Sequence, residues 1–374
     1  MKKYKLASAQ PVQKRTPVNT DSPESQTIIN NIVKNFHRQP IEQRLHQLQK
    51  LYPDLDLNAM KNGGLSIELA DHMIENCIGV ISLPLGLGLS CKVNHRTYLV
   101  PMAIEEPSVI AACSVISKLI ATEGSGFTCK STQHVMIGQI QLTDIQDCSR
   151  AVEKILARKQ EVIELGNTFC RNMANRGGGV RDVRCRALAP DMLVVELLVD
   201  VQDAMGANIV NTVCEGVSSF VQECAAQGVV GVRILTNLCT ERMTESSFKI
   251  PLEKLVWKGV SGREVAAKIL ETQRFAELDQ YRATTHNKGI MNGIDAVAIA
   301  LGQDFRAVEA AAHSYAAITG KYKPLTSYWT DGSHFYGKIT MPISVGTKGG
   351  AIATSPAYTN THMMMGFPST EQLA

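Results

Sequence analysis

Two adjacent carboxylates stand before the most apolar helical segment of the sequence. Glu105 and Glu106 are followed by Pro107 and Ser108, and the apolar run begins at Val109. Carboxylates in this position commonly cap a helix and interact favourably with its dipole. A carboxyl group held against apolar neighbours can instead act as a general acid, because desolvation raises its pKa unless a cation compensates. The residues alone leave both roles open.

A polar run from Thr284 to Asp295 stands where a second, mostly apolar helix is predicted to begin. A solvated loop would explain its polarity. However, Gly289 and Gly293 would each cost a helix about 1 kcal/mol relative to alanine, which indicates that another group approaches the backbone closely. Lys288 is a compact cation with three hydrogen-bond donors, and it would suit an oxyanion.

Two further aspartates precede predicted helices. Asp304 follows Gly302 and most simply caps the next helix. The segment Asp203–Asn208 joins the end of a strand to the start of a helix, where free N–H groups and the helix dipole attract a phosphate. An ordinary turn explains Asp203 equally well.

Several familiar kinds of site have no support in the sequence. It contains no G-x-G-x-x-G fingerprint, P-loop, HExxH or GxSxG motif. Its ten cysteines form no CxxC pair and lie mostly in apolar segments, which favours a reducing compartment and disfavours structural zinc. We predict that His72, His95 and His313 are surface, turn and core residues respectively, since none has a partner pattern typical of catalysis.

Composition is typical of a soluble α/β or α+β enzyme with two or three domains. The 374 residues are 44% hydrophobic and 5% aromatic, with a net charge of +3 that gives no basic field for nucleic acid. Residues 1–26 have no signal-peptide core and are predicted to be a disordered tail. The longest nearly apolar stretch, Cys77–Cys91, contains Pro84 and is too short to span a bilayer. We therefore expect a cytoplasmic protein that binds neither nucleic acid nor membrane.

Hydrophobic periodicity predicts the elements that position the first group of candidate residues. Apolar spacing of three and four predicts helices, and strict alternation predicts a strand with one buried face. The last helix is apolar almost all round, so we expect it to be central. The predicted elements are two packed helices within Ile28–Leu51 separated at Pro40, a helix over Ile67–Asn76 capped by Ser66, a strand over Ile81–Val93 with a hairpin partner to Met102, and a helix over Val109–Ala121.

The pattern changes between residues 133 and 238, where the predicted order is β-α-β-β-α-β. This is the split βαβ, ferredoxin-like arrangement, and its first helix is predicted to run from Arg150 to Ala174. After residue 240 the sequence returns to alanine-rich helices, predicted over 263–280, 289–301 and 304–318. We therefore predict an α+β fold in which a small domain, residues 133–238, is inserted into a large, mainly helical domain made of residues 27–132 and 239–374.

Five blocks of sequence are distinctive when they are taken together: Glu75–Gly79, Leu99–Ser108, Asp203–Asn208, Thr285–Asp295 and Gly346–Ala351. Their residues, order and spacing resemble the class II, bacterial-type 3-hydroxy-3-methylglutaryl-CoA (HMG-CoA) reductases. The resemblance runs from about residue 40 to the end of the sequence, and chance agreement at five such blocks is negligible.

This resemblance implies the reduction of HMG-CoA to mevalonate and CoA by two hydride transfers from NADH or NADPH, or the reverse reaction, without a metal. Lys288 would be the catalytic lysine that stabilises the anionic oxygen, and Glu106 the acid that protonates it. Asp304 would hydrogen-bond with both, a role beyond capping. The other implied roles are binding of the HMG group by Arg282, Ser108 and Asn292, and of the dinucleotide by Asp203, Met205, Gly206, Ala207 and Asn208.

The resemblance also implies a homodimer, or a higher assembly of dimers, with active sites between subunits. Cys170 stands where relatives that use NADH can carry an acidic residue near the adenine ribose. Loss of the acid removes both a ribose acceptor and a repulsion against a 2′-phosphate, which leaves the coenzyme preference open. The family continues into a C-terminal flap with a thiolate-protonating histidine, whereas this sequence stops at Ala374, and His362 lies too early in the pattern to be that residue. We therefore expect either that the sequence is truncated before the flap or that the protein lacks it, in which case closure and protonation of the leaving group would be lost.

Two other classes of function stay open on the sequence. A non-catalytic homologue that binds CoA or a nucleotide would follow from the missing flap. Acyl transfer by a cysteine is the third, and it is disfavoured because no cysteine has a recognisable base or oxyanion loop beside it.

Overall fold

The computed structural model describes residues 22–374 of the chain. Residues 1–21 of the predicted tail lie outside this range, whereas Pro23 already belongs to the first helix, which Ser22 caps. The two helices expected within 28–51 are confirmed and pack together, and Pro40 separates them. The first four helices are α1 (Pro23–Asn35), α2 (Ile41–Leu51), α3 (Leu57–Asn62) and α4 (Ile67–Met73).

An antiparallel hairpin of β1 (Leu85–Val93) and β2 (Arg96–Ala103) follows. Its turn is made by Asn94 and His95, both with positive φ, which confirms His95 as a turn residue. The strand begins at Leu85 and not at Ile81, as was predicted. Ile81 lies before the strand and is 94% exposed. The hairpin delivers the chain to the loop that carries Glu106.

The next helix, α5 (Val109–Glu123), was expected to be central because it is apolar almost all round. Within the chain only Ile120 of this helix is buried, while Val115 and Ile116 are 48% and 44% exposed. The prediction is therefore wrong for the single chain. One apolar face of α5 packs on β1, and the opposite face contacts solvent.

The middle of the chain forms a four-stranded antiparallel sheet with the strand order β5-β6-β4-β7. Valine, leucine and isoleucine of the strands and of the covering helices form one buried core. The long helix predicted from Arg150 to Ala174 is broken into three, because the backbone leaves helical geometry at Arg158 and Cys170. After β3 (Thr128–Ser131), the elements are β4 (Val135–Thr143), α6 (Cys148–Ala157), α7 (Lys159–Phe169), α8 (Arg171–Ala174), β5 (Gly179–Ala189), β6 (Met192–Asp200), α9 (Ala207–Ala225) and β7 (Val229–Thr236).

The last part of the chain contains strands as well as the predicted helices. With β3 they form a second four-stranded antiparallel sheet of order β3-β8-β10-β9, which was not predicted from the sequence. The core next to this sheet includes Ile250, Phe335 and Ala266. The elements are β8 (Met243–Pro251), α10 (Gly262–Leu278), α11 (Gln280–Ala300), α12 (Phe305–Ala316), β9 (Thr326–Thr330), β10 (His334–Pro342), α13 (Pro356–Met364) and α14 (Thr370–Leu373).

Helix α11 begins at Gln280 rather than near residue 289, so the polar run 284–295 lies inside a helix and is not a loop. Asp279 caps the helix by accepting from the backbone N–H of Arg282 at 2.8 Å. The polar side chains have specific partners; Asn287, for example, is fully buried and bonds both the backbone carbonyl of Lys323 and the backbone N–H of Leu325.

A helix that spans a bilayer needs about 20 predominantly apolar residues. Within residues 22–374, none has both the length and the apolar character needed to cross a membrane.

Candidate active site

Three of the predicted site residues meet at one carboxylate oxygen. Lys288 on α11 donates from Nζ to Oε2 of Glu106 at 2.8 Å, and Nδ2 of Asn292 reaches the same oxygen at 3.4 Å. Lys288 and Asn292 are four positions apart, which places them on the same face of the helix. Glu106 comes from the loop between β2 and α5, and α11 packs against both of these elements.

The pair of Lys288 and Glu106 is open to solvent, with side chains 60% and 45% exposed. Exposed ion pairs contribute about 0–1 kcal/mol to stability, so the fold gains little from this one. Glu106 does not cap α5 either, since its carboxylate is directed to α11. The contact between Lys288 and Glu106 therefore contributes little to stability, and both groups are open to a substrate. This combination favours a chemical role for the pair.

Ser108 adopts an uncommon backbone conformation at the start of α5. Its φ is 76°, and its hydroxyl makes no capping bond to the helix. A non-glycine residue held in this left-handed region carries about 1–3 kcal/mol of strain, and such residues cluster at functional sites. Ser108 is exposed beside the loop that carries Glu106, as its predicted role in substrate binding requires.

Arg282 and Asp304 are placed differently from the central pair. The Nε of Arg282 is buried and has no hydrogen-bond partner. Asp304 caps α12 by accepting from the N–H of Ala307 at 3.2 Å, and it pairs with Arg306 at 3.2 Å. Within the described residues, no hydrogen bond joins Asp304 to Lys288 or Glu106. In this structure Asp304 therefore acts as a helix cap.

The 203–208 loop lies between β6 and α9, where the dinucleotide site was predicted. Asp203 is held by Lys348, whose Nζ donates to its Oδ2 at 2.8 Å, and by Thr370, whose hydroxyl donates to its Oδ1 at 3.2 Å. These contacts, led by Lys348, hold the pKa of Asp203 below its usual range. Gly206 has a φ of 99°, and no side chain caps the first turn of α9, which begins at Ala207.

The glycine-rich segment after β10 packs directly on this loop. A Cβ atom on Gly346 would lie 2.5 Å from the backbone nitrogen of Met205, so only glycine fits without a shift. Gly346 also exchanges two hydrogen bonds with the side chain of Gln303, at 2.8 and 2.9 Å. Gln303 precedes Asp304, so these contacts connect the 203–208 loop, the glycine-rich segment at Gly346 and the start of α12.

Cys170 is placed apart from the other candidates. It is 7% exposed and belongs to the core of the first four-stranded sheet, so its burial does not support the expected position beside an adenine ribose. Burial also raises the pKa of the Cys91 and Cys185 thiols to about 11 and that of Cys214 to about 12. A nucleophilic cysteine needs the opposite shift, so these thiols do not favour acyl transfer.

Asp295 shares α11 with Lys288, and its sequence context indicates no role for it. Burial and the neighbouring carboxylate of Glu309 raise the pKa of Asp295 to about 8. Glu309 also bonds Nε2 of His313 at 2.6 Å, and Nδ1 of this ring bonds the hydroxyl of Tyr322 at 2.7 Å. His313 is thus a partly exposed member of a polar chain rather than a core residue, and the Asp295 carboxyl could not have been found from sequence spacing because Glu309 lies on the next helix.

We expect Asp295→Asn to stabilise the protein increasingly as the pH rises from about 4 to about 8. The folded pKa of about 8 exceeds the ordinary value of 3.8, so the wild type loses stability as the pH rises through this window. Asparagine stays neutral throughout and removes this loss. Thermal unfolding followed by circular dichroism across the range measures the difference. Asp71→Asn, at an exposed site on α4, is the control; matching pH profiles for Asp295→Asn and wild type would contradict the assignment.

No group of three or more His, Cys, Asp or Glu side chains within residues 22–374 is arranged to hold a metal ion.

The fold and the site together are typical of an enzyme. Lys288 and the carboxyl group of Glu106 form an accessible pair, and the first turn of α9 has no side-chain cap. The family model described as hydroxymethylglutaryl-coenzyme A reductase matches residues 40–374. The chain belongs to this family and is therefore an oxidoreductase of the type that acts on CH–OH groups.

Individual relatives agree with this assignment. The 3-hydroxy-3-methylglutaryl-coenzyme A reductase of Archaeoglobus fulgidus is 42% identical over 91% of this chain and 78% of its own length. The probable reductase of Borreliella burgdorferi is 31% identical over 89% and 76% respectively. The structure of the class II reductase from Streptococcus pneumoniae bound to NADPH in open conformations is 39% identical, has a TM-score of 0.86, and matches over 91% of this chain and 94% of its own. The expected class is thereby confirmed.

Proposed function

We propose that this chain catalyses the reduction of HMG-CoA to mevalonate and CoA with NADPH or NADH, or the reverse oxidative acylation. The observation that carries the proposal is the 2.8 Å contact between Lys288 Nζ and Glu106 Oε2 in a chain of this family. Reducing a thioester to an alcohol creates an anionic oxygen and requires a proton for it. Lys288 can stabilise the anionic oxygen, and Glu106 can supply the proton.

The proposed roles of Lys288 and Glu106 follow from the charges of their side chains. Lys288 places a fixed cation where the acyl oxygen becomes anionic, and interactions of this kind are worth about 10²–10³ in rate. Glu106 delivers the proton to that oxygen, and Asn292 orients the carboxyl group through Oε2. The nicotinamide coenzyme supplies the hydride when bound.

The remaining candidate residues are proposed to bind the HMG group. Arg282 has a buried Nε without a partner, and an unsatisfied guanidinium N–H suits a substrate carboxylate. Ser108 offers a hydroxyl that no helix cap engages. Asp304 bonds Ala307 and Arg306 and not Lys288 or Glu106, so its proposed catalytic role requires movement when substrate binds.

The 203–208 loop fits a dinucleotide. A Cβ on Gly206 would lie 2.5 Å from Val201 Cγ1, so the absence of a side chain is what permits the turn into α9. The first N–H groups of α9, from Ala207 and Asn208, are free of side-chain caps and suit a diphosphate.

We further propose that residues 133–238 form a small dinucleotide-binding domain inserted into a large domain of residues 27–132 and 239–374. The strand order β7-β4-β6-β5 supports a ferredoxin-like arrangement for this unit. All the buried residues of its core lie between Met136 and Cys239, which supports a unit with its own core.

A homodimer, or a higher assembly of dimers, is proposed from exposed apolar side chains. Ile74, Ile78 and Ile81 are 58%, 102% and 94% exposed, and Val115 and Ile116 on α5 are about half exposed. Burying such residues against a second copy removes apolar surface from water. Because α5 begins beside Ser108, an interface over this helix would lie close to the candidate active site.

We expect the double variant Ile78→Asp, Ile81→Asp to be a monomer with little reductase activity. Two buried charges at the proposed interface would be strongly unfavourable. Light scattering during size-exclusion chromatography measures the mass, and the coenzyme assay measures the activity. Val232→Asp changes an apolar residue on β7 that is 59% exposed and serves as the control. A dimer of unchanged mass in the double variant would contradict the proposed interface.

The proposed function is tested by following coenzyme absorbance. Oxidation of NADPH or NADH with HMG-CoA, and reduction of the oxidised coenzyme with mevalonate plus CoA, are the expected results. A chain that binds CoA or coenzyme but turns over neither substrate pair would instead support a non-catalytic homologue.

A further inference from the structure

Arg242, just before β8, is a buried cation without a carboxylate partner. It is 3% exposed, and in the described part of the chain no carboxylate lies within ion-pair distance of its guanidinium. Burial lowers its pKa to about 10, so it remains charged at neutral pH. Its two terminal nitrogens donate to backbone carbonyls instead, Nη1 to Met205 at 3.3 Å and Nη2 to Val345 at 2.5 Å.

Such an arrangement is costly for stability alone. Removing an ion from water costs several kcal/mol, and an apolar residue of similar volume commonly packs in such a place at no loss. The two carbonyls belong to different segments, one in the 203–208 loop and one next to Gly346. The guanidinium therefore acts as a fork that fixes the distance between these segments.

The same two segments are joined to the catalytic region. Gly346 contacts the backbone nitrogen of Met205 and bonds Gln303, which precedes Asp304. Thr347 adds a second tie, since its N–H donates to the backbone carbonyl of Asp203 at 2.9 Å. The position of the 203–208 loop relative to Asp304 thus depends on the segment that Arg242 holds.

We propose that Arg242 is a positioning residue for the coenzyme: by holding the Met205 and Val345 carbonyls, it fixes the 203–208 loop so that the first turn of α9 faces the coenzyme diphosphate. This inference rests on the proposed function. Without the fork, the Met205 peptide is free to rotate, and the loop loses the geometry that a diphosphate requires. The HMG-binding side chains around Glu106 are not touched by Arg242 and keep their places.

The test uses the full chain with Arg242→Lys and Arg242→Met, and it measures NADPH binding directly by fluorescence titration without HMG-CoA. We expect Arg242→Lys to raise the Kd for NADPH about five- to tenfold, because one ammonium cannot hold two carbonyls as a planar fork does. Arg242→Met should raise it further. The KM for HMG-CoA should stay within about twofold of wild type. Arg186→Met removes an arginine that pairs with Glu196 on the first sheet, and it should leave both constants unchanged.

A rescue experiment separates positioning from general support of the fold. Free guanidinium ion at low, non-denaturing concentration should restore part of the NADPH affinity of Arg242→Ala and should not alter Arg186→Ala. Sodium at the same ionic strength should have no such effect.

The outcomes are distinguishable. An unchanged Kd for NADPH in Arg242→Lys overturns the inference, as does an equal rise in the KM for HMG-CoA. If Arg242→Met does not fold, Arg242→Lys decides the question, and loss of folding there as well assigns Arg242 to stability and overturns the inference. If the wild type itself neither binds NADPH nor turns over HMG-CoA, it is the proposed function that fails.

Discussion

Lys288→Ala is expected to lower kcat for HMG-CoA reduction by about 10²–10³ or more while the protein stays folded. The change removes the cation that we propose stabilises the developing oxyanion, and donors in this role are worth about 10²–10³ in rate. Both hydride transfers should slow, since each passes through an anionic oxygen. Steady-state rates with HMG-CoA and with mevaldehyde measure the two steps separately.

The fold should survive this change because the lysine side chain is 60% exposed and its ion pair adds little stability. Lys338→Ala is the matched control, since Lys338 also pairs with a glutamate, Glu245, but on the second sheet. Turnover of Lys288→Ala within a few-fold of wild type would remove Lys288 from the catalytic mechanism.

Glu106→Gln is expected to bind HMG-CoA nearly as well as wild type but to lose about 10²–10⁴ in kcat, the usual worth of general acid catalysis. Glutamine keeps the size of the side chain and can still accept from Lys288, but it cannot deliver the proton. Equilibrium binding of HMG-CoA and steady-state turnover, measured on the same preparation, separate the two effects.

The neighbouring carboxylate provides an internal control for this experiment. Glu105 is exposed on the same loop and has no ion pair among the described residues. Glu105→Gln should therefore turn over normally. Loss of HMG-CoA binding in Glu106→Gln, or an equal loss of kcat in the two variants, would contradict the role of Glu106 as an acid. It would show instead that the variants act through the conformation of the loop.

The elements with strong periodicity could be predicted from the sequence. The helices on either side of Pro40 and the hairpin through His95 formed as expected, because their patterns are local. Strands β8 to β10 were missed because apolar and polar residues do not alternate strictly along them; residues 244–247 of β8, for example, are all polar. The exposure of Val115 was also unpredictable, since an apolar residue in an apolar helix is ordinarily expected to pack in the core of its own chain.

The site was predictable only in part. Lys288 and Glu106 are 182 positions apart, so their chemistry could be argued separately, but their contact is a result of tertiary packing. Family resemblance implied that they meet, and the structure places them together. It places Asp304 at a helix cap and Cys170 in the core, because backbone geometry at α12 and α7 decides these positions and the sequence pattern does not.

Helix α11 carries Arg282, Lys288 and Asn292 on one uninterrupted rod of 21 residues. A rise of about 1.5 Å per residue separates the backbones of Arg282 and Lys288 by about 9 Å along its axis. With Arg282 binding the substrate carboxylate and Lys288 the acyl oxygen, as proposed, this fixed spacing would make the enzyme select acyl chains by their length.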